Sequence, residues 1–287
     1  MKKILISVGL ILGALFLTGC DAINNMENIT IYTSSYPIEF VTKELYGDHA
    51  KVYNMYPQGI DLNNYKLTDK QVSDYANSDL IIYNGLSDEQ KYIVKMINKN
   101  NKLKIIDATS KIEYSSSIDE IWINPSNLLK IAKNTKDGLD EYINSNLVKD
   151  EINTNYEELK VEISSIDADL KEMVENASDK TIVTSSNKLN FLTKYGMNVI
   201  SVDESTLTDK TLSDAKKALQ SDSIGYLFVI KGEDNSKTVE DLLNEVSGIQ
   251  TLEIDTLANI STEDKNDGKD YISIMNENID KFKQELY

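Results

Sequence analysis

Past residue 28 the chain alternates short apolar runs with longer stretches in which apolar residues recur every third or fourth position. The short runs predict strands over 29–33, 51–55, 79–83, 103–107, 181–184, 198–202, 226–230 and 249–254. The longer stretches predict helices over 37–46, 68–77, 88–99, 189–195, 209–220, 237–246 and 270–286. Start and stop signals agree with them. Pro37 and Pro125 stand at early helix positions, where a missing N–H does no harm, and Thr68 and Asn124 are N-cap residues. Gly196 and Gly248 lie just past helices, where a left-handed residue ends the turn.

The most regular segment is 150–177. Ile152, Tyr156, Leu159, Ile163, Ile166, Leu170 and Met173 are spaced four, three, four, three, four and three, one apolar stripe on one long helix. At 1.5 Å per residue it spans roughly 40 Å, the width of a domain. A rod joining two lobes and a two-stranded coiled coil both fit that stripe. Four heptads without flanking extension favour the rod.

Strands alternating with helices predict an α/β fold of two lobes, each a mostly parallel sheet flanked by helices, with a ligand cleft between them. The expected organisation is a signal peptide over 1–19, a tether over 20–28, an N-terminal lobe over 29–145, the linking helix over 146–177 and a C-terminal lobe over 178–287. Ligands of such folds sit at the carboxyl ends of strands. Four loops there are rich in polar residues: Pro57 to Leu67, Ser115 to Pro125, Ser185 to Lys188 and Asp255 to Leu257.

Composition changes the picture at two points. The first is the N-terminus: Lys2 and Lys3, then an apolar run from Ile4 to Leu17, then Leu17-Thr18-Gly19-Cys20. That is the layout of an export signal, and the tetrapeptide resembles a bacterial lipobox, which would make Cys20 the lipidated first residue of the mature chain. Cys20 is the only cysteine, so no intrachain disulfide can form. The second point is charge. The formal net charge is −17, and losing Lys2 and Lys3 takes it to −19. So acidic a body will not bind nucleic acid by its field. Solubility accounts for most of that charge, and a cation ligand would suit it.

The loops carry a family pattern. Pro57-Gln58-Gly59-Ile60-Asp61-Leu62-Asn63-Asn64-Tyr65 resembles the P-x-G-x-D-P-H-x-Y loop of the zinc and manganese-binding "adhesin lipoprotein" group of ABC-importer substrate-binding proteins. Asp79-Leu80-Ile81-Ile82-Tyr83-Asn84-Gly85-Leu86 is similar to its A-D-L-x-x-Y-N-G-L stretch, and Glu120-Ile121-Trp122-Ile123-Asn124-Pro125 to its H-x-W-L-D-P. Ile182-Val183-Thr184-Ser185-Ser186 resembles its I-V-T-S-H, and Asp255-Thr256-Leu257 its closing D-S-L. The resemblance covers almost the whole mature chain in order.

That family typically holds its metal with three His and one acidic residue. Carried over by position, the ligands become Asn63, Glu120, Ser186 and Asp255, so all three imidazoles are replaced. The only histidine, His49, falls in a surface turn of the family pattern. Two carboxylates, an amide and a hydroxyl form an all-oxygen set, which favours manganese, magnesium or calcium over zinc. Tyr65 and Trp122 are candidates to line the cleft.

The resemblance implies a monomer held by lipid at the extracytoplasmic face of the cell membrane, delivering its solute to an ABC permease and ATPase. Three readings stay open: a divalent cation in an oxygen site, another small solute in a cleft without metal, or a surface adhesion module. An enzyme is not expected. There is no Cys–His pair, no G-x-S-x-G elbow and no phosphate-binding glycine loop, and nothing around Glu120 and Asp255 resembles a hydrolase motif.

Overall fold

The structure, a computed structural model, describes residues 26–57, 65–221 and 223–287. The signal segment, Cys20 and Asn63 lie outside the described residues.

The first half forms one four-stranded sheet from β1 (Ile29–Thr33), β2 (Ala50–Asn54), β3 (Leu80–Tyr83) and β4 (Lys104–Asp107), in the order β2-β1-β3-β4. The second half repeats it with β5 (Thr181–Thr184), β6 (Asn198–Ser201), β7 (Tyr226–Ile230) and β8 (Gln250–Ile254), in the order β6-β5-β7-β8. Every pairing is parallel. The helices of the first half are α1 (Tyr36–Tyr46), α2 (Asp69–Tyr75), α3 (Gln90–Lys99), α4 (Glu120–Ile123) and α5 (Pro125–Tyr142). Then come α6 (Asn146–Asn176), a 3-10 helix (Asn187–Tyr195), α7 (Asp209–Leu219), α8 (Lys237–Glu245), α9 (Thr262–Asn266) and α10 (Tyr271–Leu286).

Local chemistry explains these elements. β3 is buried along its length, as a continuous apolar run in a central parallel strand should be. Thr68 and Gln71 form a capping box on α2, and Asn124 caps α5 ahead of Pro125. Ser145 caps α6, so the long helix begins at Asn146, earlier than the apolar stripe alone predicts. Gly196 ends the 3-10 helix at a φ of 96°, a left-handed conformation open to glycine. The segment 115–125, expected as loop, contains the helical turn α4, whose residues Ile121, Trp122 and Ile123 are buried.

The stripe on α6 is filled within the chain. Ile152, Leu159, Ile163, Ile166, Leu170 and Met173 are all buried in the main core, and α6 packs against α1 and α5 of the first half and α10 of the second. Each such side chain contributes roughly 1.5–3 kcal/mol when fully buried, so the helix is held by tertiary packing. That core reaches both sheets, and a smaller apolar cluster lies on the far side of each. No helix among the described residues is long and apolar enough to cross a membrane.

Candidate functional site

In a sheet ordered β2-β1-β3-β4, the crossover changes side between β1 and β3, which leaves a crevice at their carboxyl ends. The second sheet has the same crevice between β5 and β7. The two sets of strand-end loops meet. The indole Nε1 of Trp122 donates to the carbonyl of Thr256 at 3.0 Å, and the Tyr271 hydroxyl donates to the carbonyl of Trp122. Charge crosses the same boundary. Lys188 Nζ lies 2.9 Å from Asp119 Oδ2 and 2.6 Å from Glu233 Oε1. Lys265 Nζ lies 3.7 Å from Glu39 Oε1, a carboxylate that Lys43 also meets at 2.6 Å.

The three sequence-derived ligands among the described residues, Glu120, Ser186 and Asp255, each have partners in their own half. Glu120 is buried at the start of α4; its Oε2 accepts from the Ser115 N–H at 2.7 Å, and the Ser115 hydroxyl lies 3.2 Å from both carboxylate oxygens. Ser186 is the N-cap of the 3-10 helix, accepting from Lys188 N at 3.3 Å, with its hydroxyl 3.4 Å from Asp203 Oδ2. Asp255 follows β8. Its Oδ1 accepts from Leu257 N at 2.8 Å, and its backbone is clamped by Asn278, which accepts from Asp255 N and donates to Asp255 O. Asp255 Oδ2 lies 3.1 Å from Lys231 Nζ.

Lys231 also lies 2.9 Å from Asp264 Oδ2. Burial works against its ammonium, but hydrogen bonding and charge from Asp264 and Asp255 outweigh that and hold its pKa above the ordinary value. Asp264 is held down to about 2 by hydrogen bonds from Ser261 and Lys231. Among the described residues no group of three or more His, Cys, Asp or Glu could hold a metal ion. His49 pairs with Glu151 of α6.

The first crevice holds a cavity of about 360 Å³ that Tyr65 and Trp122 both line. Its back is built by the Asn84-Gly85 turn after β3. Asn84 N donates to the Ser34 hydroxyl at 2.9 Å, and Asn84 Oδ1 accepts from Leu86 N at 3.0 Å and the Thr109 hydroxyl at 3.1 Å. A Cβ at Gly85 would lie 2.2 Å from Asp107 Oδ2, so this close approach requires glycine. Lys231 and Glu89 were not among the residues expected from the sequence, and Lys188 was expected only as the end of the Ser185–Lys188 loop. Lys231 could have been found from its place directly after β7, and Ser35 from its place two residues after β1.

Twin parallel α/β lobes on one long helix, with their strand-end loops opposed, define a two-lobed α/β fold of the rigid-helix type. Residues 31–285 match the family described as "ZnuA: Zinc-uptake complex component A periplasmic", and the chain belongs to that family. The family is one of uptake-complex components, not of enzymes. The chain is 23% identical over 312 residues to zinc-binding lipoprotein AdcA of Streptococcus pneumoniae, covering 99% of this chain and 61% of that protein. It is 25% identical over 315 residues to manganese ABC transporter substrate-binding lipoprotein PsaA of Streptococcus anginosus, covering 100% of this chain and 99% of that one. The chain thus spans about three fifths of the first curated relatives it matches. In fold it is similar to the Zn(II)-bound ZnuA-like domain of Streptococcus pneumoniae AdcA, with a TM-score of 0.71 at 22% identity, covering 90% and 99% of the two chains. The metal-dependent lipoprotein YcdH of Bacillus subtilis gives 0.75 at 20% identity, again covering 90% and 99%.

Proposed function

We propose that this chain is the solute-binding component of an ABC importer, lipid-anchored through Cys20, that takes up a divalent metal ion between its lobes with oxygen ligands from Asn63, Glu120, Ser186 and Asp255. Permease and ATPase complete the transporter, and the binding component works as a monomer. The observation that supports this reading best is the ion pair of Lys231 with Asp255 at the lobe junction. A carboxylate there already holds a cation, and its other oxygen and its backbone are fixed by Leu257 and Asn278.

Metal capture then proceeds by exchange. The incoming ion takes Asp255 Oδ2 from Lys231, which keeps Asp264 as its partner, so the displaced ammonium is not left uncompensated. Glu120 turns from Ser115 toward the ion, and water completes the shell around the weak donors Asn63 and Ser186. Hard oxygen donors select manganese or calcium ahead of zinc. Because α6 packs against elements of both halves, closure is a small hinge motion.

The test is calorimetry and thermal shift on the chain without its signal segment, titrated with manganese, calcium, magnesium and zinc, before and after Asp255→Ala. Stabilisation by manganese or calcium that disappears in the variant is the expected result. No response to any of the four ions, or a response that Asp255→Ala leaves intact, sinks the reading. For the anchor, Cys20→Ser is expected to move the protein from membrane to medium when expressed in a lipoprotein-processing bacterium.

A further inference from the structure

We propose a second binding site in this chain, for a small organic ammonium ion, in the cavity at the β1/β3 crevice. It goes beyond the divalent-metal reading and uses none of the four oxygen ligands named there.

The cavity, about 360 Å³, falls within the range of small-molecule sites, roughly 300–1,000 Å³. Its lining includes the aromatic residues Tyr56, Tyr65, Tyr92 and Trp122 and the polar residues Ser35 and Glu89. The rings are held in place before any ligand arrives. Tyr56 and Tyr65 meet edge to face with centroids 5.8 Å apart, the Tyr65 hydroxyl accepts from Gln71 Nε2 at 2.9 Å, and Trp122 is pinned through Nε1 to Thr256. Aromatic side chains lining an enclosed space can hold a desolvated ammonium over a ring.

The charge inside points the same way. Glu89 has no ion-pair partner among the described residues. Its carboxylate accepts only neutral donors: Asn84 N at 3.3 Å and the hydroxyls of Ser34, Ser87 and Tyr56. Burial pushes this carboxyl up to about 7 even against those four hydrogen bonds, so a cation is the missing partner of its charged form. Ser35 adds a second sign. It is the N-cap of α1 yet makes no capping bond, and its Oγ is buried (2% exposed) without a hydrogen-bond partner. An ammonium N–H or a hydroxyl on the ligand would satisfy it.

Two lysines line the mouth, Lys66 and Lys91. Lys91 is already engaged, with Asp88 Oδ2 at 3.2 Å and its Nζ 5.3 Å from the centre of the Tyr92 ring. That ring therefore holds one ammonium already. An anionic ligand would have to bring its charge against Glu89 and the ring faces, which disfavours that class.

The probes are choline and ethanolamine, each set against the uncharged carbon isostere of choline, in which a tert-butyl group replaces the trimethylammonium. Calorimetry and thermal shift on the signal-free chain are expected to show binding of at least one ammonium probe, at least about tenfold tighter than the isostere. Glu89→Gln is expected to weaken that binding by about tenfold or more. Because Glu89 accepts four hydrogen bonds, Tyr92→Leu serves as a second variant that removes a wall ring and is expected to weaken it too. Asp255→Ala should leave ammonium binding unchanged, and Glu89→Gln should leave any metal response unchanged, so each site fails or stands by itself. Binding of neither ammonium, equal binding of the isostere, or indifference to both cavity variants overturns the proposal.

Discussion

Lys188 Nζ sits 2.9 Å from Asp119 Oδ2, one residue from each half of the chain, with 7% of the Asp119 side chain exposed. Burial raises the Asp119 carboxyl and Lys188 pulls it back; burial also works against the Lys188 ammonium, but Asp119 and Glu233 outweigh it and raise its pKa. The pair is thus a latch between the two strand-end loop systems. Lys188→Met is expected to cost about 2–3 kcal/mol in urea denaturation, because it strands a buried carboxylate. Adding Asp119→Asn should recover much of that loss, and a double variant no better than Lys188→Met would show that the pair is not coupled.

Lys231 is shared between Asp255 and Asp264. If a metal takes its place at Asp255, removing the ammonium removes the competitor. Lys231→Met is expected to tighten manganese or calcium binding by about tenfold in calorimetry, while a weaker affinity would argue against exchange at this carboxylate.

Trp122 is the only tryptophan in the chain and spans the junction through its bond to Thr256. Its emission should therefore report ligand capture directly, shifting on addition of whichever ion stabilises the protein. Trp122→Phe loses the cross-junction bond and leaves a buried carbonyl unpaired, an expected loss of about 1–3 kcal/mol in the denaturation midpoint.

Two glutamates bias stability toward acid. Burial raises both Glu89 and Glu285 from 4.5 to about 7. Between those values the folded state keeps protons that the unfolded state has released, so stability falls as pH rises from 4.5 to 7 and then levels. Asp264 acts oppositely: held down to about 2 from 3.8, it contributes stability above 3.8 that is lost as pH falls toward 2. Urea midpoints measured across pH should show both slopes, and Glu285→Gln should flatten the first. A slope unchanged by Glu285→Gln would mean that its carboxyl is not raised.

Gly138 lies in α5 against β4, where an added Cβ would fall 2.7 Å from two carbons of the Ile106 side chain. Alanine improves helix propensity by roughly 0.5–1 kcal/mol, whereas overpacking a buried branched side chain costs typically 1–3 kcal/mol. The packing effect wins. Gly138→Ala is expected to lower thermal stability, and a higher Tm would show that Ile106 can move aside.

The fold was legible because each of its signals is local. The apolar runs marked the strands, Asn124-Pro125 and Thr68 marked helix starts, and the regular stripe on 152–173 marked the long helix. Two features of the site were not local. Lys188 meets Asp119 across 69 positions of chain, and Lys231 meets Asp264 across 33, distances over which no period or spacing carries information. Glu89 looked like one more acid on a helix of an acidic protein, and only the enclosure by Tyr56, Ser34 and Asn84 distinguishes it. Helix α4 was hidden for another reason: a four-residue turn is too short to show a period, and its burial comes from packing against α5 and against loops of the other half.

Because one face of α6 supplies core to both sheets, neither half should be separable as an independent folding unit. A cut or a flexible insertion within 146–176 would expose the same six apolar side chains to solvent from both fragments at once. The whole molecule should therefore melt in a single cooperative step, and its two halves expressed apart should be insoluble until they are mixed.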